Sequence, residues 1–236
     1  MDIMECTDLT KKYGKFEAVS NISCKIGAGR IVGLLGPNGS GKTTLLKLAA
    51  GLLNPTSGEI KISGSKTGIN TKKLVSFLPE HIFLNGNIKI NEIIDIYNDF
   101  FMDFDRNKAY DILHKLDIGC KDKLKAMSSG AVEKIQLALI ISRNVSLYLL
   151  DEPLKSIDSS SREYIIKNYI INNYVKSTKE ATVIISTQMI SSIENMLDHV
   201  IVMNSGKIVL DAETEQLKKV WPSGIDNLLK EAFKCY

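Results

Sequence analysis

Gly36-Pro37-Asn38-Gly39-Ser40-Gly41-Lys42-Thr43 decides how the rest of this 236-residue chain is read. Glycines at 36, 39 and 41 let the backbone curl until successive N–H groups point inward, and a helix starting at Lys42 adds the positive end of its dipole. The stretch therefore fits a loop that cradles phosphate oxygens. In such a loop Lys42 reaches the β and γ phosphates of a bound nucleotide, Thr43 offers its hydroxyl to Mg²⁺, and Pro37, Asn38, Ser40 and Thr44 complete the wall. The pattern needs a strand before it and a helix after it. Residues 30–35 form a short apolar run, and residues 42–53 carry apolar side chains at helical spacing, with Gly51 and Pro55 near the close.

Upstream, residues 6–10 and 18–26 read as short strands, and residues 58–63 form another downstream, with glycines at 14, 27, 29, 58 and 64 in the turns. From residue 82 to 127 the texture becomes helical, with Ile88, Ile90, Ile93, Ile94, Ile96 and Tyr97 in one segment and residues 106–116 in a second. Helices at 131–143, 160–175 and 190–197 then alternate with strands at 147–150, 182–186, 200–203 and 207–210. Strands separated by helices predict a mainly parallel sheet covered on both faces. Residues 225–233 read as a short amphipathic helix with a packing role. There is no internal repeat and no low-complexity segment.

A second element carries chemistry: Leu147-Tyr148-Leu149-Leu150-Asp151-Glu152-Pro153. A buried apolar strand that delivers two acids at its end suits nucleotide hydrolysis, with Asp151 holding the water shell of the metal and Glu152 polarising the attacking water.

Composition narrows the remaining classes. Charged residues make up 24% and hydrophobic residues 44%, ordinary for a folded chain, and the formal net charge is +3. Lys and Arg are scattered, so no nucleic-acid footprint is expected, and Lys121-Asp122-Lys123-Leu124-Lys125 reads as a solvated surface. Cys6, Cys24, Cys120 and Cys235 are far apart in sequence, without the close spacing of a zinc or redox pair, which suggests a reducing cytoplasm. Residues 1–5 lack the order of a signal peptide. The apolar runs at 145–150 and 183–185 fall far short of the roughly 20 residues that cross a bilayer, so any membrane-spanning part is expected on another chain.

With these motifs in place, residues 3–210 resemble the ATP-binding cassette (ABC) transporter ATPases, and the details point to the antibiotic- and lipid-exporter branch. The resemblance implies an α/β fold: a P-loop NTPase core with an antiparallel β portion at its start and an inserted helical subdomain. The implied division is residues 1–80 and 132–212 as nucleotide-binding core, 81–131 as helical subdomain and 213–236 as C-terminal tail. Tyr13, in Lys12-Tyr13-Gly14, takes the place of the aromatic that stacks on adenine. Glu80, in Phe77-Leu78-Pro79-Glu80, stands where most members carry a glutamine between the metal and the membrane partner, and a carboxylate there can still face Mg²⁺. Ser156-Ile157-Asp158 resembles the loop that lines the dimer interface.

Two places depart from the family pattern. The signature, usually Leu-Ser-Gly-Gly-Gln, reads Met127-Ser128-Ser129-Gly130-Ala131, followed by Glu133 and Lys134. Ser128 and Gly130 are kept, so a hydroxyl and helix amides can meet the γ-phosphate of ATP bound on the opposite subunit. Gln188, in Ile185-Ser186-Thr187-Gln188, replaces the usual switch histidine. A primary amide cannot shuttle a proton, so slow but real hydrolysis is expected, with Glu152, Gln188 and Lys42 as the catalytic set. His81, His114 and His199 lie outside the switch position and read as surface or packing residues.

The resemblance further implies a homodimer or heterodimer of cassettes, docked from the cytoplasm on a separate membrane-spanning permease at the inner face of the cell membrane. A groove beside Glu80, with Ile82, Phe83, Leu84 and Ile88, is the expected docking surface, the other reading being that these side chains form the core of the helical insert. A regulatory or sensing subunit that binds ATP and dimerises with little turnover is the alternative. A soluble relative acting in translation or DNA repair is disfavoured, because the chain has one cassette and no sustained heptads.

Overall fold

Alternation along the central strands sets the architecture. On β3 (Ile31–Leu35), Ile31 and Leu35 join one buried cluster while Val32 and Leu34 join another. The same split separates Tyr148 and Leu150 from Leu147 and Leu149 on β7 (Leu147–Asp151), and Val183 and Ile185 from Ile184 on β8 (Thr182–Thr187). Successive strand side chains point to opposite faces, so continuous apolar runs mean a sheet buried on both sides. The computed structural model describes residues 1–84, 86–169, 181–188, 190–221 and 224–234.

This sheet has the order β10-β9-β3-β8-β7-β6, with β6 (Val75–Leu78) and β9 (His199–Asn204) parallel to their neighbours and β10 (Lys207–Glu213) antiparallel at the edge. A second sheet is antiparallel throughout, in the order β2-β1-β4-β5, from β1 (Asp2–Tyr13), β2 (Phe16–Gly27), β4 (Ser57–Ile62) and β5 (Ser65–Lys66). It covers one face of the central sheet together with α1 (Lys42–Ala49), through Ile22, Ile26, Leu45, Leu48 and Ile60. The other face is covered by α2 (Ile90–Phe100), α3 (Arg106–Lys115), α4 (Ser129–Ile141) and α5 (Ser159–Ile165). At the C-terminal side follow α6 (Thr214–Val220) and the expected amphipathic α7 (Ile225–Lys234), anchored by the fully buried Ile225.

Several expectations change in detail. Helix α1 stops at Ala49, short of residue 53, because Gly51 turns to φ +66° and the N–H groups of Leu52 and Leu53 fold back onto the Lys47 carbonyl. The helix expected at 190–197 is two short 3₁₀ turns, Ile190–Ser192 and Glu194–Met196. Ser191, Asn195 and Asp198 favour local turns there, while Ile190, Ile193 and Leu197 are pinned in the core. Strand β6 was not anticipated: four residues interrupted by Ser76 give little periodic signal, and the Ser76 hydroxyl satisfies itself on the Ile140 carbonyl at 2.9 Å. Positions 170–175 of the helix expected at 160–175 lie outside the described residues. Cys6 and Cys24, distant in sequence, are register partners across β1 and β2.

Helix α4 starts at Ser129 and runs through residue 131, so one rod joins the helical segment to the sheet. Arg143, just beyond it, is buried and forks onto Asp103 (3.1 and 2.8 Å), donates to the Val75 carbonyl (2.9 Å) and lies 4.2 Å from the Phe101 ring centre. These contacts bind the loop after α2 to the edge of the sheet.

Candidate active site

Strand β3 ends at Leu35, and the chain turns through residues 36–41 into α1. A Cβ at Gly36 would lie 2.1 Å from the Met203 carbonyl oxygen, and one at Gly41 2.2 Å from that of Ala18. Both positions also hold φ values, +142° and +104°, that side-chain-bearing residues rarely adopt. The loop is thus pressed between β9 and β2 so tightly that only glycine fits. Because α1 begins at Lys42, the amides of its first turn have no partner within the helix and face the mouth of the loop. Lys42 is buried, with Nζ donating to the Gly36 and Pro37 carbonyls (2.8 and 3.1 Å). Burial lowers its pKa, and Glu152, Asp151 and Glu80 pull it back up.

The two acids arrive on β7. Asp151 is buried: one carboxylate oxygen accepts from the Ser186 hydroxyl at 2.6 Å, and Oδ2 has no hydrogen-bond partner among the described residues. Glu152 adopts φ +44°, its N–H bound to the Ser186 carbonyl (3.1 Å) and hydroxyl (3.0 Å), which swings its side chain toward the cleft. Burial raises the pKa of Glu152, opposed by Lys42 and by hydrogen bonds from the Gln188 side chain and backbone. The Gln188 amide donates to Asn38 Oδ1 at 2.6 Å and, more distantly, to Glu152 Oε1 at 3.4 Å.

Together these elements border a cleft of about 220 Å³ at the carboxyl ends of the parallel strands, where open α/β sheets bind ligands. Its lining includes Tyr13, Asn38, Gly39, Ser40, Gly41, Lys42, Thr43, Thr44, Glu80 and Glu152. Gly36 and Pro37 form the floor through the Lys42 bonds. Ser128 and Gly130 do not line it: Ser128 caps α4, accepting from Ala131 N at 3.2 Å, and is exposed.

Four further residues belong to this region: three that sequence reasoning passed over, and Glu133, which it read only as part of the segment after the signature. Phe16 lines the cleft and is the register partner of Tyr13, placed there by the two-residue turn at Gly14 and Lys15. Ser186 fixes Asp151; a lone hydroxyl at the end of an apolar strand was its only signal. Lys155 pairs with Glu80 at 2.7 Å. Glu133 accepts both the hydroxyl (2.7 Å) and the N–H (3.0 Å) of Ser156, tying α4 to the loop that leaves Glu152.

The donor set fits a hard divalent cation: an unpartnered buried carboxylate oxygen on Asp151, a hydroxyl on Thr43 and the carboxylate of Glu80. Among the described residues no group of three or more His, Cys, Asp or Glu could enclose a metal.

Comparison with known proteins bears on the same region. Residues 19–155 match the ABC transporter family. The chain is 30% identical over 222 residues to the uncharacterized ABC transporter ATP-binding protein YcbN of Bacillus subtilis, covering 92% of this chain and 71% of that protein. It is 29% identical over 239 residues to the SkfA peptide export ATP-binding protein SkfE of the same organism, covering 98% of each. A solved ATP-binding subunit of an ABC transporter shares the fold, with a TM-score of 0.85 and 20% identity over 97% of this chain and 98% of that one. A phosphate-cradling loop, two acids at the end of a neighbouring strand and this breadth of similarity lead to one assignment: the chain belongs to the ABC transporter family, among its ATP-binding ATPase subunits.

Proposed function

We propose that this chain binds ATP with Mg²⁺, hydrolyses it and drives an exporter through a separate membrane-spanning partner. The observation that carries the reading is the meeting of three elements at one cleft: Lys42 at the start of α1 and Glu152 just after β7 line it, with Asp151 beside Glu152, and Gln188 after β8 bonds to Asn38 and Glu152 at its edge. Lys42 and the amides of the loop grip the β and γ phosphates, and the Tyr13 and Phe16 rings offer a platform for the base. Thr43, Asp151 and Glu80 would hold Mg²⁺, which when bound neutralises charge on the phosphates. Glu152 accepts the proton of the attacking water, and Gln188 orients Glu152 and the water together.

Ser128 and Gly130 stand away from the cleft of their own chain, and we assign them to the γ-phosphate bound by a second cassette facing head to tail. Closure then couples the two sites through the Glu133 bonds to Ser156. Residues 1–80 and 132–212 act as the nucleotide-binding core, 81–131 as the helical subdomain and 213–236 as the tail.

Among the described residues no helix is long and apolar enough to cross a membrane. The partner's seat is an apolar groove of about 470 Å³ beside Pro79, lined by Leu52, Phe77, Phe83, Tyr97 and Phe101. Of the residues expected to dock, Ile82 and Phe83 are each 42% exposed, whereas Leu84 and Ile88 pack against the core. Export is favoured by Glu80 and by the likeness to the peptide-export protein SkfE.

The test is ATP turnover of the purified chain beside Glu152→Gln, with nucleotide affinity of Lys42→Ala measured in parallel. Turnover falling by at least about 10²-fold in Glu152→Gln and affinity lost in Lys42→Ala are the expected results. Unchanged turnover in the first, or unchanged affinity in the second, would remove the assignment of that residue.

A further inference from the structure

Three carboxylates gather around the cleft, those of Glu80, Asp151 and Glu152, and all three act on Lys42. Glutamine, the usual residue at position 80 in the resemblance set out above, would bring no charge; Glu80 adds one negative charge beside the place where a triphosphate lies. The structure answers it with a cation from another strand. Lys155 lies five residues beyond Leu150 on the chain leaving β7, and Glu80 two residues beyond Leu78, its parallel partner on β6. Their side chains meet at 2.7 Å. That bond is the leading cause of the lowered Glu80 pKa, ahead of His81 and Lys42, and Glu152 and Glu133 also draw on the same ammonium.

We propose that Lys155 is a positioning residue for Glu80, an exchangeable counter-cation that keeps this carboxylate compatible with the polyphosphate until a divalent cation takes over. This rests on the reading of the cleft as the nucleotide site. With a divalent cation present, Glu80 has a second positive partner, so Lys155 matters less. With nucleotide alone, Lys155 is the chief neutralising charge on Glu80, and losing it sets a bare carboxylate against the phosphates. The Lys155 side chain is 59% exposed and that of Glu80 26%, so the effect is modest and fades with salt.

Affinity for a fluorescent ATP analogue, measured at low salt with EDTA and again with Mg²⁺, tests this on wild type, Lys155→Met, Lys155→Arg, Glu80→Gln and the double variant Glu80→Gln with Lys155→Met. Lys155→Met is expected to weaken binding roughly threefold to fivefold in EDTA. With Mg²⁺ it should change binding by less than about twofold, and Lys155→Arg should behave as wild type. In the Glu80→Gln background, removing Lys155 should change neither condition. Equal weakening with and without Mg²⁺, weakening that persists in Glu80→Gln, or no change in any arm overturns the proposal. Wild type that binds no nucleotide sinks the cleft reading and this proposal with it. If wild type binds and Lys42→Ala does not, any of the overturning patterns counts against Lys155 alone.

Discussion

The side-chain amide of Gln188 donates to Asn38 Oδ1 at 2.6 Å, joining the end of β8 to the phosphate loop across 150 residues of sequence. An amide nitrogen carries two hydrogens, and the second points at Glu152, so the Gln188 carbonyl oxygen is the end left to accept a hydrogen bond from water. That oxygen supplies an acceptor, although, as expected of a primary amide, it cannot carry a proton away.

In the proposed mechanism Asn38 therefore sets which end of Gln188 meets the water. Asn38→Leu should lower kcat several-fold with a smaller change in KM, while Asn38→Asp, which keeps the acceptor, should retain most of kcat at a higher KM from the charge it adds beside the phosphates. Gln188→Ala is expected to cost about 10²-fold in kcat. Gln188→His should raise kcat by restoring a proton-carrying group. Steady-state kinetics on the four variants decide the matter.

The pH profile should carry the mark of Glu152. Its pKa is raised, chiefly by burial, and it works as a base only when ionised, so kcat/KM should fall off at a higher pH than an ordinary glutamate would give. The hydrogen bond from the Gln188 side chain holds that pKa down; Gln188→Leu should move the acid limb further toward alkaline pH. The same shift bears on stability. A folded-state pKa above the unfolded one favours the folded chain at low pH, and that benefit is lost as pH rises through the folded value. Glu152→Gln should accordingly raise the melting temperature at neutral pH and do less in acid.

Alanine substitutions should separate the three glycines of the loop. At Gly39, with φ +75° and open space around the missing Cβ, the cost is only the left-handed backbone, about 1–2 kcal/mol. At Gly36 and Gly41 the new carbon meets a carbonyl oxygen at 2.1 and 2.2 Å. Both variants should lose nucleotide binding and melt well below Gly39→Ala in thermal unfolding.

Arg143→Met should destabilise without touching the cleft. It strands the Asp103 carboxylate and the Val75 carbonyl, and breaking such a pair costs about 3 kcal/mol when one partner is partly exposed. For a chain of this size that is a fall of roughly 6–12 °C in melting temperature, with KM for ATP little changed.

Much of this was legible in the residues because chemistry and local geometry coincide there. Residues 36–43 and 147–153 each carry a motif whose required strand or helix is contiguous in sequence, and the cleft forms where they were expected to meet. What escaped depends on register between distant strands. Ser186 matters because it stands opposite Asp151 on β8, and Lys155 because β6 and β7 run side by side. No spacing rule within one segment reports such neighbours. The 3₁₀ turns at 190–196 were misread for a related reason: Ile190, Ile193 and Leu197 have helical spacing, but the serine, asparagine and aspartate among them prefer turns.

The glycine contacts at the phosphate loop fix a length. Gly36 abuts a carbonyl of the central sheet and Gly41 a carbonyl at the start of the β2 core, the strand that also carries Phe16 opposite Tyr13. The span from aromatic pair to ammonium is consequently a ruler made of main chain, which surface substitutions cannot stretch. On the proposed reading a guest is gauged end to end, base against ring and phosphate against loop, and one built shorter or longer touches only half of the scale.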